Sequence, residues 1–265
     1  MKFKARMHLT TALVLAFAFA TLHAADKKDK AKPAPPQIVD SGSVGVFIKG
    51  QRVVTETFKI EQQNGASIVK SQLKETSGSD AANQKSQLKE IAAGDSATQR
   101  SDLEMTSSGE LLRYEWSQGS GASLSVFPDN EFLKERILTS PSAKPSEQAF
   151  LLPSVTPILD NNFFIHREVL AWKYLAIAPC RDENGHRHCE PADFGTLVPQ
   201  DHTSMSVRME LAGKEKITIR GAERELLRLN LHGDQFDWAL WVDENDHFKL
   251  IRVAIPADNT VVDRD

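Results

Sequence analysis

From Ile38 onward, apolar and polar residues alternate with a period of two, as in strands that bury one face. Val44, Val46 and Ile48 alternate with Gly45, Phe47 and Lys49, and Gly50-Gln51 reads as a turn. Val54 to Ile60 fits a second strand. Asn64-Gly65 is a two-residue hairpin signal ahead of a third strand over Ser67 to Thr76. SQLKE at 71–75 recurs at 86–90, and one repeat of five residues is too short for a solenoid. The polar stretch between the copies reads as an excursion from the sheet, with a helix over 81–92 as the alternative. Alternation returns at Leu103 and Met105, at Leu112, Tyr114 and Trp116, and at Leu124 and Val126. Pro128-Asp129-Asn130 punctuates before a strand over Glu131 to Leu138, and Ser140 to Pro145 is a loop.

After Leu159 the period changes. Phe163, Phe164, Leu170, Ala171, Tyr174 and Leu175 fall on one side at helical spacing. His166, Arg167 and Lys173 lie elsewhere or at the margin of that face. Asp160 is placed to cap the helix and Pro179 to stop it. Alternation then resumes over Ser206 to Leu211, an Ala212-Gly213 turn, and Ile217 and Ile219. Leu227, Leu229 and Leu231 follow, then a turn at His232-Gly233-Asp234. Phe236, Trp238, Leu240 and Val242 share a face, Asp243 to Asp246 turns, and Phe248 to Ile255 is the expected closing strand. The expected fold is mainly β (α+β): a curled antiparallel meander sheet, half-barrel or barrel-like, packed on one main α-helix.

The N-terminus changes the setting. Lys2, Lys4 and Arg6 precede an apolar run over Leu13 to Ala20, and Leu22-His23-Ala24 offers a cleavage site. Residues 1–24 therefore read as a signal peptide, cut near Ala24, with an uncleaved anchor as the alternative; the expected location is the periplasm. Residues 25–37 are a charged, proline-rich spacer, and 38–265 are expected to form a single β-rich domain. Three of the 32 basic residues lie in 1–24, leaving 29 against 36 acidic ones, a net of −7. That balance, with basic residues scattered among acids, disfavours nucleic acid as a partner. Membrane contact is expected to be peripheral at most, and the oligomeric state stays open.

Several segments together carry a resemblance. Leu159-Asp160-Asn161-Asn162-Phe163-Phe164, Leu197-Val198-Pro199-Gln200, and Leu240-Trp241-Val242-Asp243 with Leu250-Ile251-Arg252-Val253 and Pro256 resemble a family of exported bacterial proteins of unknown function. The opening, with Phe47, Gly50, Glu56, Phe58 and Ile60, fits the same pattern. The fold this implies is similar to the lipoprotein-localisation-factor half-barrel: a sheet curled round a helix, with an apolar interior open at one end. The resemblance brings no catalytic residues.

Candidate chemistry is sparse. Cys180 and Cys189, the sole cysteines, read as a disulfide in an exported chain. The sharper alternative is a zinc site of Cys180, His186, His188 and Cys189, whose ligand types suit the metal and whose spacing does not. No metal and no cofactor is expected. No nucleophile elbow, zinc-protease, P-loop or dinucleotide motif is present in the sequence. An enzyme would need convergent titratable groups, for example His166 near Glu168 or Asp193. His202, His232 and His247 read as loop or turn residues. Trp238 and Trp241, three apart in a strand, are expected on opposite faces. The expected function is a non-enzymatic periplasmic binding or carrier module. Its apolar groove would be lined by Phe163, Phe164, Leu170, Trp172, Trp238 and Trp241, for a lipid-like ligand or a lipidated envelope protein. A structural or assembly protein of the envelope without a small-molecule ligand is the alternative.

Overall fold

The computed structural model describes residues 35–75, 98–119, 121–183 and 186–265. The leader, the spacer up to residue 34 and the second SQLKE copy lie outside them. Eight strands come first: β1 (Gln37–Ile48), β2 (Gln51–Gln63), β3 (Ala66–Glu75), β4 (Gln99–Thr106), β5 (Leu111–Gln118), β6 (Ser123–Asp129), β7 (Phe132–Leu138) and β8 (Ser146–Phe150). Helix α1 (Ile165–Ile177) follows. Then come β9 (Cys180–Glu183), β10 (His186–Cys189), β11 (Ala192–Val198), β12 (Thr203–Ile219), β13 (Ala222–Gly233), β14 (Phe236–Asp243), β15 (Lys249–Ile255) and β16 (Thr260–Arg264).

All but β9 and β10 join one antiparallel sheet in the order β11 to β16, then β1 to β8. Two meanders are thus fused where β16 pairs with β1, Val46 opposite Val262. Among the described residues the sheet does not close, β11 and β8 being its two ends. Its two ends nevertheless approach one another, since Gln148 of β8 donates through Nε2 to the carbonyl of His202 just past β11 (3.3 Å). Residues 157–159 cover the outer edge of β11, Leu159 N–H donating to Leu197 O at 2.9 Å, which satisfies edge groups that would otherwise invite another strand.

The mainly β fold with a single α-helix among the described residues is as expected from the periodicity, and Asn64 and Gly65, both at positive φ, make the expected hairpin. Four local expectations are corrected. Ala212-Gly213 is no turn. β12 runs through it with a bulge, and Gly213 at φ +116° absorbs the extra residue. The bulge flips the strand's parity, so Val207 and Met209 face the main core while Ile219 joins a cluster on the other face. The real turn is at Arg220-Gly221. The His232 turn lies two residues later, leaving His232 inside β13. The strand over Phe248 to Ile255 is not the last, because β16 follows. Finally, α1 starts at Ile165, five residues beyond Asp160.

The core fills the space between α1 and the concave face. The helix is buried on nearly every side, including His166, Arg167 and Glu168, because strands surround it. Ser101 of β4 meets His166, the amide of Leu250 at the start of β15 meets Glu168, and the amide of Leu211 in β12 meets Tyr174 Oη.

Candidate functional site

The helix N-terminus is built from charges supplied by distant strands. Asp160 Oδ1 accepts from the amides of Asn162 (2.7 Å) and Phe163 (3.1 Å), so it caps the turn before the helix rather than the helix itself. The helix amides go to Glu56 of β2, which accepts from Phe164 N (2.7 Å), Ile165 N (3.3 Å) and the Ser71 hydroxyl (2.6 Å). Glu56 has no exposure, and burial raises its carboxyl from 4.5 to about 7 against those three hydrogen bonds. Tyr114 donates its hydroxyl to Asp160 Oδ2 and accepts from Gln200 Nε2 at 2.7 Å. Gln99 accepts from both Asn162 Nδ2 (2.9 Å) and Trp116 Nε1 (3.1 Å).

Arg167 sits within this frame with no exposure. Its Nη1 donates to the carbonyls of Asp160 and Phe163, and its guanidinium stacks 4.8 Å from the Trp238 ring and 5.0 Å from the Phe164 ring. Burial lowers it to about 10, so it stays cationic at neutral pH beside Asp160 and Glu56. On the next face of α1, Glu168 accepts from Leu250 N at 2.7 Å and faces Asp40 and Arg264. Burial first, and the Asp40 carboxylate second, push Glu168 well above the usual carboxylate range. Asp40 in turn takes both oxygens to Arg264 Nη2 at 2.5 and 2.7 Å.

Next to this frame lies a groove of about 250 Å³ between α1 and strands β2 to β5. One helical stripe, His166, Val169, Leu170, Lys173, Ala176 and Ile177, forms one wall at i, i+3, i+4 spacing. Ile60, Val69, Leu103, Met105 and Leu111 form the other. Ile60, Val69 and Leu103 lie opposite one another in adjacent strands, so their side chains form one layer across the sheet. His166 marks the end at the polar frame. The turn Thr106 to Gly109, with Lys173 and Ile177, marks the other end, where Ile177 is 57% exposed. The Lys173 ammonium donates to the carbonyls of Gly109 (3.4 Å) and Val155, and burial lowers its pKa.

His166 is 1% exposed, and burial drives its pKa from 6.5 to about 4, so it is a neutral imidazole at neutral pH. Its Nε2 is 3.3 Å from Ser101 Oγ, and its Nδ1 has no partner among the described residues. A serine hydroxyl beside an imidazole is two parts of a nucleophilic triad. No carboxylate among the described residues orients Nδ1, and the ring is too weak a base to take the proton near pH 7. The pair is a poor nucleophile-base couple.

Comparison with family models, curated proteins and solved structures returns no match.

The residues singled out from sequence fall in several places. Leu170 and Trp172 line the groove. Phe163 and Phe164 are buried in the core beside it. Trp238 packs on the main core and stacks on Phe236, with ring centroids 4.6 Å apart. Trp241 lies on the other face with Ile219 and Ile251, its indole N–H donating to Glu215 at 3.0 Å. The two tryptophans therefore do face opposite sides, and neither touches the groove. Cys180 and Cys189 are a cross-strand pair in the β9–β10 ribbon and are joined as a disulfide, which removes both thiolates from the alternative zinc set. Residues 184 and 185 lie outside the described residues, as does the side chain of His186. His166, Glu168 and Asp193 do not converge: Glu168 faces β15, and Asp193 pairs with Arg208 at the surface.

Sequence reasoning took Glu56 only as part of the family pattern and passed over Asp40 and Glu135, the latter buried 2.8 Å from His202 Nδ1. A signal was there: each shares strand parity with buried apolar neighbours, Glu56 with Val54, Phe58 and Ile60, and Glu135 with Leu133. A carboxyl on the buried parity of a strand marks a polar core site.

Proposed function

We propose that this protein is a non-enzymatic carrier that binds a lipid-like, single-chain amphiphile in the groove between α1 and β2–β5, in the periplasmic setting the leader predicts. The observation that carries the reading is the groove itself. Its walls are apolar, one end is open, and a free ammonium proton of Lys173 stands at that end to meet an anionic head group. A cavity of about 150 Å³ already takes up benzene, whereas drug-sized ligands occupy upward of about 300 Å³. The groove runs roughly 13–16 Å along β4 and α1, leaving a cross-section of roughly 20 Å², suited to one extended chain. About eight buried methylenes at about 0.8 kcal/mol each correspond to a Kd on the order of tens of micromolar.

The test uses Trp172 as reporter. Titration with 10-bromodecanoate quenches its fluorescence saturably, and Ala176→Phe, which crowds the open end at an exposed helix position, weakens binding at least tenfold. Absence of saturable quenching, or equal quenching in the Ala176→Phe protein, refutes the carrier reading. It moves the weight to an envelope assembly role.

A further inference from the structure

The groove carries a polar feature that a plain hydrocarbon chain leaves unmet. His166 Nδ1 is buried without a partner among the described residues, and His166 lines the end of the groove remote from Lys173. A buried polar atom left unpaired is costly, and a ligand oxygen that meets it recovers that cost. Nε2 is engaged with Ser101, so whichever nitrogen holds the ring proton, Nδ1 is left as a single donor or a single acceptor. A hydroxyl serves either case, since it both donates and accepts.

The second fixed point is Lys173. Its ammonium has three protons and, among the described residues, two carbonyl acceptors, Gly109 O and Val155 O, leaving one proton for a ligand. Residues 166 and 173 share a helix face seven positions apart, about 10.5 Å along the axis. A saturated chain of about eight to ten carbons covers that span.

We propose that the ligand is a straight-chain carboxylate of about eight to ten carbons bearing a hydroxyl at its far end, the carboxylate at Lys173 and the hydroxyl at His166 Nδ1. This rests on the carrier reading above and specifies its ligand class. The ordinary hydrophobic rule predicts the reverse preference, because a terminal hydroxyl loses water on entering an apolar slot.

Isothermal titration compares decanoate with 10-hydroxydecanoate on the mature protein. The expected result is that the hydroxy acid binds about tenfold tighter, that His166→Leu reverses this order, and that Lys173→Gln weakens both acids alike. Independently of any variant, ¹⁵N NMR of the imidazole should show the Nδ1 resonance moving with 10-hydroxydecanoate and not with decanoate. Equal or weaker binding of the hydroxy acid, with decanoate still bound, overturns the ligand assignment and leaves the carrier reading standing. An unmoved Nδ1 resonance at saturation with the hydroxy acid also overturns it. If neither acid binds, both readings fall together.

Discussion

Replacing Glu56 by glutamine isolates one of two opposing titrations at the helix N-terminus. Glu56 has its folded pKa raised from 4.5 to about 7, so the folded state holds its proton more tightly than the unfolded chain. The stability this contributes is complete below pH 4.5 and is lost as pH rises through 7, about 3 kcal/mol in all. His166 is shifted the other way, from 6.5 to about 4. Its contribution is present above pH 6.5 and lost as pH falls through 4, again about 3 kcal/mol. Between pH 4.5 and 6.5 the two slopes cancel, and the other buried carboxyls are common to wild type and variant. Glu56→Gln abolishes one slope. The amide still accepts from Phe164 N but presents its NH₂ to Ile165 N, a pH-independent loss of about 1–2 kcal/mol. Urea unfolding followed by tryptophan fluorescence from pH 4 to 8 gives the stability difference between variant and wild type. That difference should shift by about 3 kcal/mol in favour of the variant as pH rises through 4.5 to 7. His166→Leu should shift the opposite way, gaining on wild type as pH falls from 6.5 to 4. A Glu56→Gln difference that stays constant with pH would show that Glu56 ionises normally in the folded protein despite its burial.

Two further outcomes follow from the same structure. Tyr114→Phe removes a hydroxyl that donates to Asp160 and accepts from Gln200, leaving a buried carboxylate oxygen and a half-buried amide unmet; it should cost about 1–3 kcal/mol in urea unfolding, and a loss under 0.5 kcal/mol would contradict the network. Replacing Cys180 and Cys189 together by serine opens a loop with its ends nine positions apart; it should cost no more than about 2–3 kcal/mol and leave decanoate affinity unchanged, because the ribbon does not line the groove, and a change in affinity would contradict that separation.

The elements were legible where the determinants are local. Period-two alternation is a property of adjacent residues, so Val44 to Ile48, Val54 to Ile60 and Phe236 to Val242 read as strands directly. The Asn64-Gly65 hairpin needs only two residues in the left-handed region. Gly213 defeated the same logic, since a glycine that lets a strand bulge and a glycine that lets it turn look alike until the pairing partner is known. Asp160 failed for a related reason. An aspartate ahead of a helical pattern suits a cap, but the actual acceptor, Glu56, comes from a strand more than a hundred residues earlier. β16, five residues long and set off by a one-turn helix at Pro256–Asp258, is too short to declare itself without β1 beside it. The candidate groove was legible only in part. Leu170 and Trp172 were within reach of the helical period, whereas the sheet wall depends on which strands curl over which face of the helix.

The fusion of two meanders at β16 and β1 has a kinetic side. Within each meander every strand pairs with its sequence neighbour, so those hairpins close over short connections and at small entropic cost, residues 76–98 between β3 and β4 being the long exception. The seam is different: Val44 waits for Arg264, 220 positions away, and Asp40 waits for the same arginine. One edge of β1 stays open throughout that interval, a ladder of unpaired amides and carbonyls next to the apolar Val44, Val46 and Ile48. Helix α1, whose sockets come from both meanders, also has no complete seat until the seam zips. Slow non-local closure of this kind makes the half-assembled chain the state most exposed to misassociation. The buried charges around Arg264 and Glu168 are therefore among the last contacts this protein makes.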